Sequence, residues 1–159
     1  RFFTVYGPWG RPDMALFIFT KAAFEGTTID VYNNGEMMRD FTYIDDITKG
    51  IVAVIDNPAK QDISWSPENP KPSTSSAPFA IHNIGNNSPV KLIDFIEAIE
   101  QASDRVIKKQ FLPIQPGDVE KTYANVDSLI ENFDYKPSTP IKFGIGQFVN
   151  WYKDFYNIS

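Results

Sequence analysis

The chain has 159 residues, of which 42% are hydrophobic, 14% aromatic and 22% charged, a composition typical of a globular protein and not of a disordered one. Its net charge of −5 argues against broad binding to nucleic acid or to an anionic membrane, because both need clustered lysine and arginine. Cysteine is absent, which excludes disulfides, thiolate catalysis and cysteine-based zinc sites and favours a cytoplasmic location.

The amino-terminal residues predict a strand that ends in a rigid loop. Residues 2–6 are aromatic or β-branched, whereas residues 7–12 are rich in glycine and proline. Because the chain starts at Arg1, within this strand, we expect the sequence to be a piece of a longer protein. Residues 13–25 are compatible with a helix, with Asp13 as its N-cap and Gly26 as its stop signal.

Residues 29–32 predict a second strand, and the turn at 33–35 predicts a hairpin that returns the chain to Met38. Residues 41–44 favour another strand, and Asp45 is placed to cap a helix that begins near Ile47. Arg39 precedes this rigid segment. It is either a functional cation or one member of an ordinary surface pair with Asp40 or Glu36. The helix that follows places four aliphatic residues on one predicted buried face: Ile47, Ile51, Val54 and Ile55.

Residues 56–78 change the character of the chain. Proline and serine dominate this stretch, and such a composition resists regular structure. We therefore predict an exposed loop, in which Trp65 either contacts the body of the protein or faces a partner.

The remaining residues predict an alternation of strands and helices. Strands are expected at 79–85 and 106–112, a turn at 115–118 and a short helix at 127–133. A helix beginning at residues 88–89 would bury Leu92, Phe95, Ile96 and Ile99. The last helix, beginning at residues 139–140, would bury Ile141, Ile145, Phe148, Val149, Tyr152 and Phe155. We expect one hydrophobic core and an α/β fold.

The residues alone do not predict a reaction. The single histidine, His82, lies in a predicted strand and is interpreted as structural. The acidic pairs are explained by a cap and a solvated helix face, so we expect no metal site. No glycine-rich dinucleotide motif follows a strand, and no tyrosine is followed four residues later by lysine. What the residues do predict is an anion site at Arg11 and Arg39.

Several segments resemble UDP-glucuronate 4-epimerases, which belong to the extended short-chain dehydrogenase/reductase superfamily. The resemblance covers nearly the whole chain, except the proline- and serine-rich loop and details of the last helix, where Lys142 replaces an expected acidic residue. It is carried by RFFTVYGPWGRPDMA at 1–15, IDVY at 29–32, MRDFTYIDD at 38–46, and by residues 79–85, 111–118 and 148–152. It implies the carboxyl-terminal part of such an enzyme, with the last Rossmann strands and a small mixed α/β substrate-binding domain. Residues 1–159 would then form one substrate-binding fragment without the amino-terminal, NAD-binding Rossmann half.

The resemblance also implies roles for single residues toward a UDP-sugar. Arg39 corresponds to the arginine that grips the diphosphate, a task that suits the bidentate guanidinium. Arg11 is similarly placed to hold the anionic ligand. Asp30, Val31 and Tyr32 correspond to the segment that lies against the uracil.

Three further positions are compared with the family. Asp118 corresponds to a position near the ribose or the phosphates. Gln115 replaces the second diphosphate arginine of many hexose 4-epimerases, which leaves the grip on the diphosphate less complete. Thr4 replaces an asparagine of the hexose enzymes and implies a hydroxyl near the C5 carboxylate of a uronic acid.

The implied reaction is NAD-dependent epimerisation at C4 of the sugar, interconverting UDP-glucuronate and UDP-galacturonate. The tyrosine base and its lysine are expected upstream of Arg1, so the fragment alone would be inactive and the full-length parent would be a homodimer. A UDP-glucuronate decarboxylase or a nucleotide-sugar dehydratase remains an alternative, because these enzymes share the fold and the diphosphate grip. A non-catalytic sugar-nucleotide-binding module is the alternative from a different class.

Overall fold

The computed structural model describes residues 1–158, which form a mixed α/β fold. The helices are α1 (Ala15–Glu25), α2 (Ile44–Asp56), α3 (Leu92–Ser103), α4 (Asp127–Phe133) and α5 (Ile141–Tyr156). The strands are β1 (Thr4–Tyr6), β2 (Thr28–Val31), β3 (Met38–Arg39), β4 (Phe41–Tyr43), β5 (Val90–Lys91) and β6 (Lys108–Phe111). Within the described residues, no helix combines the length and apolar character needed to cross a bilayer.

The strands pair in three two-stranded sheets. Strand β1 runs parallel to β4, β2 runs parallel to β6, and β3 runs antiparallel to β5. The predicted hairpin between β2 and β3 is therefore wrong. The reason is the 3₁₀ turn Tyr32–Gly35, in which Asn33 and Asn34 both adopt left-handed backbone angles. This turn leads β3 away from β2, and β2 takes the distant strand β6 as its partner.

A main hydrophobic core lies between α1, α3 and α5. Phe95 and Phe148 are fully buried in it, and the Phe95 ring stacks on Phe41 with the ring centroids 4.1 Å apart. The predicted core stripe of α3 is confirmed for Phe95, Ile96 and Ile99. The predicted face of α5 is confirmed for Ile145, Phe148, Val149 and Tyr152, whereas Phe155 is 51% exposed.

Gly144 allows α5 to approach β1 closely. A Cβ atom at this position would lie only 2.5 Å from the Tyr6 hydroxyl oxygen. Glycine weakens an isolated helix. Close packing against Tyr6 offsets that weakness here.

The pKa of the Tyr6 hydroxyl is raised above its ordinary value, first by burial and second by the Asp46 charge.

A second, smaller core corrects the expectation of a single one. It contains Ile47, Ile84, Ala124, Val126 and Leu129. Of the four aliphatic residues predicted to line the buried face of α2, only Ile47 is buried. Ile51 and Ile55 are 37% and 69% exposed, because no element of residues 1–158 packs over them. They border an apolar groove of about 380 Å³ that also includes Phe2.

Three predicted helix starts are shifted. Helix α1 begins at Ala15, and Asp13 pairs with Arg11 instead of capping it. Helix α2 begins at Ile44 without a side-chain cap, so the capping role predicted for Asp45 is wrong. Helix α3 begins at Leu92, because the two residues before it form β5. The boundaries predicted for α4, by contrast, are those observed.

The segments around residues 56–85 contain little regular structure. Isolated bridges replace the strand predicted at 79–85, and one of them joins Phe2 to Ile84. In the preceding loop the Asp62 carboxylate accepts hydrogen bonds from Ser64 and Thr74. Trp65 is half-buried, and its indole N–H donates to the Lys71 carbonyl at 3.4 Å. This contact lies within the loop itself.

Candidate functional site

A cavity of about 870 Å³ lies between α1 and strands β1 to β4. Four of the residues singled out from the sequence line it: Thr4, Asp30, Tyr32 and Arg39. Its volume falls within the usual range of small-molecule sites. The fold therefore brings together half of the predicted site residues, although they come from three separate segments of the chain.

Arg39 is the only arginine among the described residues that line this cavity. Strand β3 holds its backbone, and its Nη1 donates to the carbonyls of Met38 at 3.0 Å and Glu120 at 3.3 Å. Within residues 1–158, the structure shows no hydrogen bond from its Nε or Nη2. Neither the predicted pair with Asp40 nor that with Glu36 forms, since Glu36 pairs with Lys91. The remaining donors of Arg39 can therefore serve an anionic ligand.

The segment from Asp30 to Tyr32 presents alternate residues to the cavity, as expected of a strand. Asp30 is exposed and Tyr32 is half-buried, and both line the cavity. Val31 points the other way and is fully buried in the main core, while its carbonyl accepts the Leu112 N–H at 3.0 Å. Tyr32 thus offers an aromatic surface, whereas the Val31 side chain does not reach a ligand.

Thr4 and Arg11 meet in a neighbouring crevice of about 410 Å³. The Arg11 guanidinium pairs with the Asp13 carboxylate, with 3.0 Å between Nε and Oδ1. This hydrogen bond raises the pKa of Arg11 and lowers that of Asp13. Both side chains are mainly exposed, so the pair is screened by solvent and can exchange partners at little cost.

The two predicted residues of the loop after β6 do not line the cavity. Gln115 and Asp118 are exposed, and they form a turn in which the Asp118 N–H donates to the Gln115 carbonyl at 3.1 Å. Gly117 adopts a left-handed conformation within it, with φ of 88°. Only the end of the loop approaches the site, through the Glu120 carbonyl that accepts from Arg39.

Sequence reasoning missed residues on α1 that also line the cavity. Lys21 and Glu25 lie one helical turn apart, with 3.8 Å between Nζ and Oε1, and Ile18 lies on the same face. Ile18, Lys21 and Glu25 are spaced i, i+3 and i+7, so the sequence alone indicates that they share one helix face. What they face depends on how α1 packs against β2, which spacing does not reveal.

The two glycines after β1 do not form a phosphate-binding loop of a dinucleotide site. Gly7 and Gly10 follow β1, but a Cβ at Gly7 would lie 2.6 Å from the Ile44 side chain, and one at Gly10 would approach Phe148. These glycines therefore contact the protein interior and do not cradle a phosphate. Among residues 1–158, no group of three acidic or histidine side chains could hold a metal ion.

His82 has a local structural environment. Its Nδ1 lies 3.3 Å from the Ser128 hydroxyl, and its ring contacts Phe133 edge to face. Burial, with the nearby amino terminus second, lowers the pKa of His82. These contacts lie outside the cavity, since His82 does not line it.

Comparison with known proteins extends the resemblance found in the sequence. Residues 1–65 match the model of the NAD dependent epimerase/dehydratase family. Protein CapI of Staphylococcus aureus is 54% identical over 98% of this chain and 47% of its own length. UDP-glucuronate 4-epimerase 6 of Arabidopsis thaliana is 43% identical over 100% of this chain and 34% of its own length.

A solved structure shows the same fold. It is UDP-glucuronic acid 4-epimerase from Bacillus cereus in complex with UDP-glucuronic acid and NAD. Its TM-score is 0.78 at 28% identity, over 98% of this chain and 45% of that one. The chain spans about half the length of this solved structure and about half the length of Protein CapI. The predicted fold class is thus confirmed, and so is the resemblance: the chain matches the carboxyl-terminal part of UDP-glucuronate 4-epimerase-like members of the NAD-dependent epimerase family.

Proposed function

We propose that this chain is the UDP-sugar-binding portion of an NAD-dependent nucleotide-sugar 4-epimerase that interconverts UDP-glucuronate and UDP-galacturonate. The observation that carries the proposal is Arg39, whose Nε and Nη2 have no described protein acceptor at the edge of a cavity shared with Asp30, Tyr32 and Thr4. A diphosphate needs a fixed cation that can make charge-assisted hydrogen bonds.

The other cavity residues suit the remaining parts of a UDP-sugar. Tyr32 offers a ring surface for the uracil, and Asp30 offers a carboxylate and backbone groups beside it. Thr4 and Arg11, which share the second crevice, supply a hydroxyl and a cation for a sugar carboxylate. A hydroxyl donor and a cation together favour a uronic acid over a neutral hexose.

In this proposal the described residues bind and orient the substrate. The hydride acceptor NAD, together with the tyrosine base and its lysine, would belong to an amino-terminal half outside these 159 residues. The chain alone is then expected to produce no UDP-galacturonate from UDP-glucuronate and NAD. Product analysis of the full-length parent would separate epimerisation from decarboxylation, which releases carbon dioxide.

The proposal is tested by replacing Arg39 with glutamine and titrating UDP by calorimetry. Hydrogen bonds to a charged group contribute about 1.5–3 kcal/mol, so Arg39→Gln should weaken UDP binding by about 10- to 150-fold. Arg105→Gln is the matched control, because Arg105 is exposed beyond α3 and does not line the cavity. Equal losses in both variants, or no UDP binding by the unmodified chain, would contradict the proposal.

A further inference from the structure

We propose that Asp40 is a positioning residue for Arg39, an inference that rests on the proposed function for its ligand. Asp40 follows Arg39 directly and separates β3 from β4. Its side chain is fully buried and does not line the cavity. It cannot contact a ligand there, so any effect on binding must pass through other residues.

The Asp40 carboxylate joins two distant segments to β3. Its Oδ2 accepts the N–H of Asn87 at 3.1 Å and the N–H of Ala124 at 3.0 Å. Its own backbone N–H donates to the Thr122 hydroxyl at 3.2 Å. Two hydrogen bonds therefore hold residues 122–124 beside Asp40, and a third holds Asn87 there.

The same segment carries the acceptor for Arg39. The Met38 N–H donates to the Glu120 carbonyl at 2.8 Å, and the Thr122 N–H donates to the Met38 carbonyl at 3.1 Å. Residues 120–122 thus run along β3, and the Glu120 carbonyl also accepts from Arg39 Nη1. Without the Asp40 carboxylate, the backbone hydrogen bonds to Met38 still hold residues 120–122, but the anchor at Ala124 is lost. We therefore expect the Glu120 carbonyl, and with it the guanidinium, to be less constrained.

The packing around Asp40 is close. A Cβ atom at Gly85 would lie 2.2 Å from the Ala124 Cβ and 3.3 Å from Asp40 Oδ2. Asp40 Oδ1 is buried without a hydrogen-bond partner among residues 1–158. A buried polar oxygen without a partner is unfavourable, so an apolar side chain would fill this space at lower cost. What the carboxylate adds is its hydrogen bonds to residues 87 and 124.

The first experiment uses the ligand-free chain and measures the order of the Arg39 Nε–H group by its ¹⁵N heteronuclear NOE. Asp40→Ala should lower this NOE toward that of an unrestrained side chain, whereas Asp40→Asn, which keeps an acceptor oxygen, should largely retain it. Asp46→Ala is the matched control. Asp46 is also a buried carboxylate that accepts two backbone N–H groups, from Ser138 and Thr139, away from the cavity.

The second experiment is a double-mutant cycle on UDP affinity. Asp40→Ala should weaken UDP binding by about tenfold, as expected when one hydrogen bond to a charged group is impaired. In an Arg39→Gln background the same change should alter the affinity less than about twofold, because coupled residues are not additive. Asp46→Ala should leave UDP affinity unchanged in both backgrounds.

The outcomes separate this inference from the proposed function. If the unmodified chain does not bind UDP, the proposed function fails, and the NOE of Arg39 still decides the positioning role. Equal losses from Asp40→Ala with and without Arg39, or an unchanged NOE, would overturn the inference. Should Asp40→Ala not fold, Thr122→Val removes the hydroxyl that accepts the Asp40 N–H and should lower the NOE of Arg39 in the same direction.

Discussion

The two hydrophobic cores of this protein are stabilised in different ways. The main core joins three helices through large side chains such as Phe95 and Phe148, which are fully buried and surrounded by other rings. Among residues 1–158, the second core has only five buried hydrophobic residues. Buried carboxylates flank it: Asp40 binds residues 87 and 124, and Asp46 binds residues 138 and 139.

The difference shows how a small core is kept in place next to the candidate site. Apolar burial grows with the area removed from water, so five small or medium side chains supply much less than the main core. Hydrogen bonds that the Asp40 and Asp46 carboxylates accept add directional constraints to the loops around the second core. Arg39 lies beside one of these constrained loops, at the boundary between the two regions.

The largest effect is expected in the main core. Phe95→Ala would leave a cavity at a fully buried position and should lower the free energy of unfolding by about 3–5 kcal/mol. Urea denaturation followed by circular dichroism measures this. Phe143→Ala removes the same atoms from a position that is 55% exposed on α5 and should cost much less. Similar losses of unfolding free energy at both positions would show that burial of Phe95 is not what stabilises the main core.

An intermediate effect is expected from Asp46→Ala. The variant leaves the Ser138 and Thr139 N–H groups without their acceptor, at 3.2 and 2.9 Å in the native chain, and should cost about 2–3 kcal/mol of unfolding free energy. Asp45→Ala is a close control, since Asp45 lies in the same first turn of α2 but is exposed. Both changes remove one charge from the helix N-terminus, so a difference between them isolates the buried hydrogen bonds. Equal effects would mean that the second core does not depend on them.

The smallest effect concerns Tyr135, whose hydroxyl donates to the Asp46 carbonyl at 2.7 Å. Burial first, and the Asp46 charge second, raises the pKa of Tyr135 to about 12, against about 10 in an unfolded chain. The folded state holds this proton more tightly, so the stabilisation is fully present below about pH 10 and is lost as the pH rises toward about 12.

Tyr135→Phe should therefore cost about 1 kcal/mol at neutral pH and should remove part of the alkaline loss of stability. Urea denaturation between neutral and alkaline pH measures both quantities. Tyr123→Phe serves as the control, because Tyr123 is 55% exposed and its replacement should leave the alkaline loss in place. An unchanged pH profile for Tyr135→Phe would contradict the role assigned to its hydroxyl.

Local patterns predicted the helices better than the pairing of strands. The core stripe of α3 and the boundaries of α4 follow from spacing within one segment. The partner of β2 is β6, which lies some 80 residues further along the chain, and no turn motif encodes such a distant pairing. Likewise, the choice between Asp45 and Asp46 as the hydrogen-bonded carboxylate depends on residues 138–139, which pack against α2 only in the folded chain.

The site residues, like the secondary structure, divide into those that the sequence predicts and those that depend on tertiary packing. The family resemblance identifies Thr4, Asp30 and Tyr32, and Arg39 is predicted from the residues alone as well; the fold places all four around one cavity. The sequence does not predict Lys21 and Glu25 as site residues, because their helix face reaches the cavity only through tertiary packing. The roles of Gln115 and Asp118 stay predictions, since their loop lies outside the cavity in this ligand-free chain.

The carboxylate of Asp40 also has a consequence for the kinetics of folding. Its two backbone partners, Asn87 and Ala124, are 47 and 84 positions away in the sequence. Both hydrogen bonds can form only after long loops have closed, and that entropy must be lost before the contacts compensate for it. We therefore expect the segment around residues 120–124, and with it the final position of Arg39, to form late in folding and to open early in unfolding.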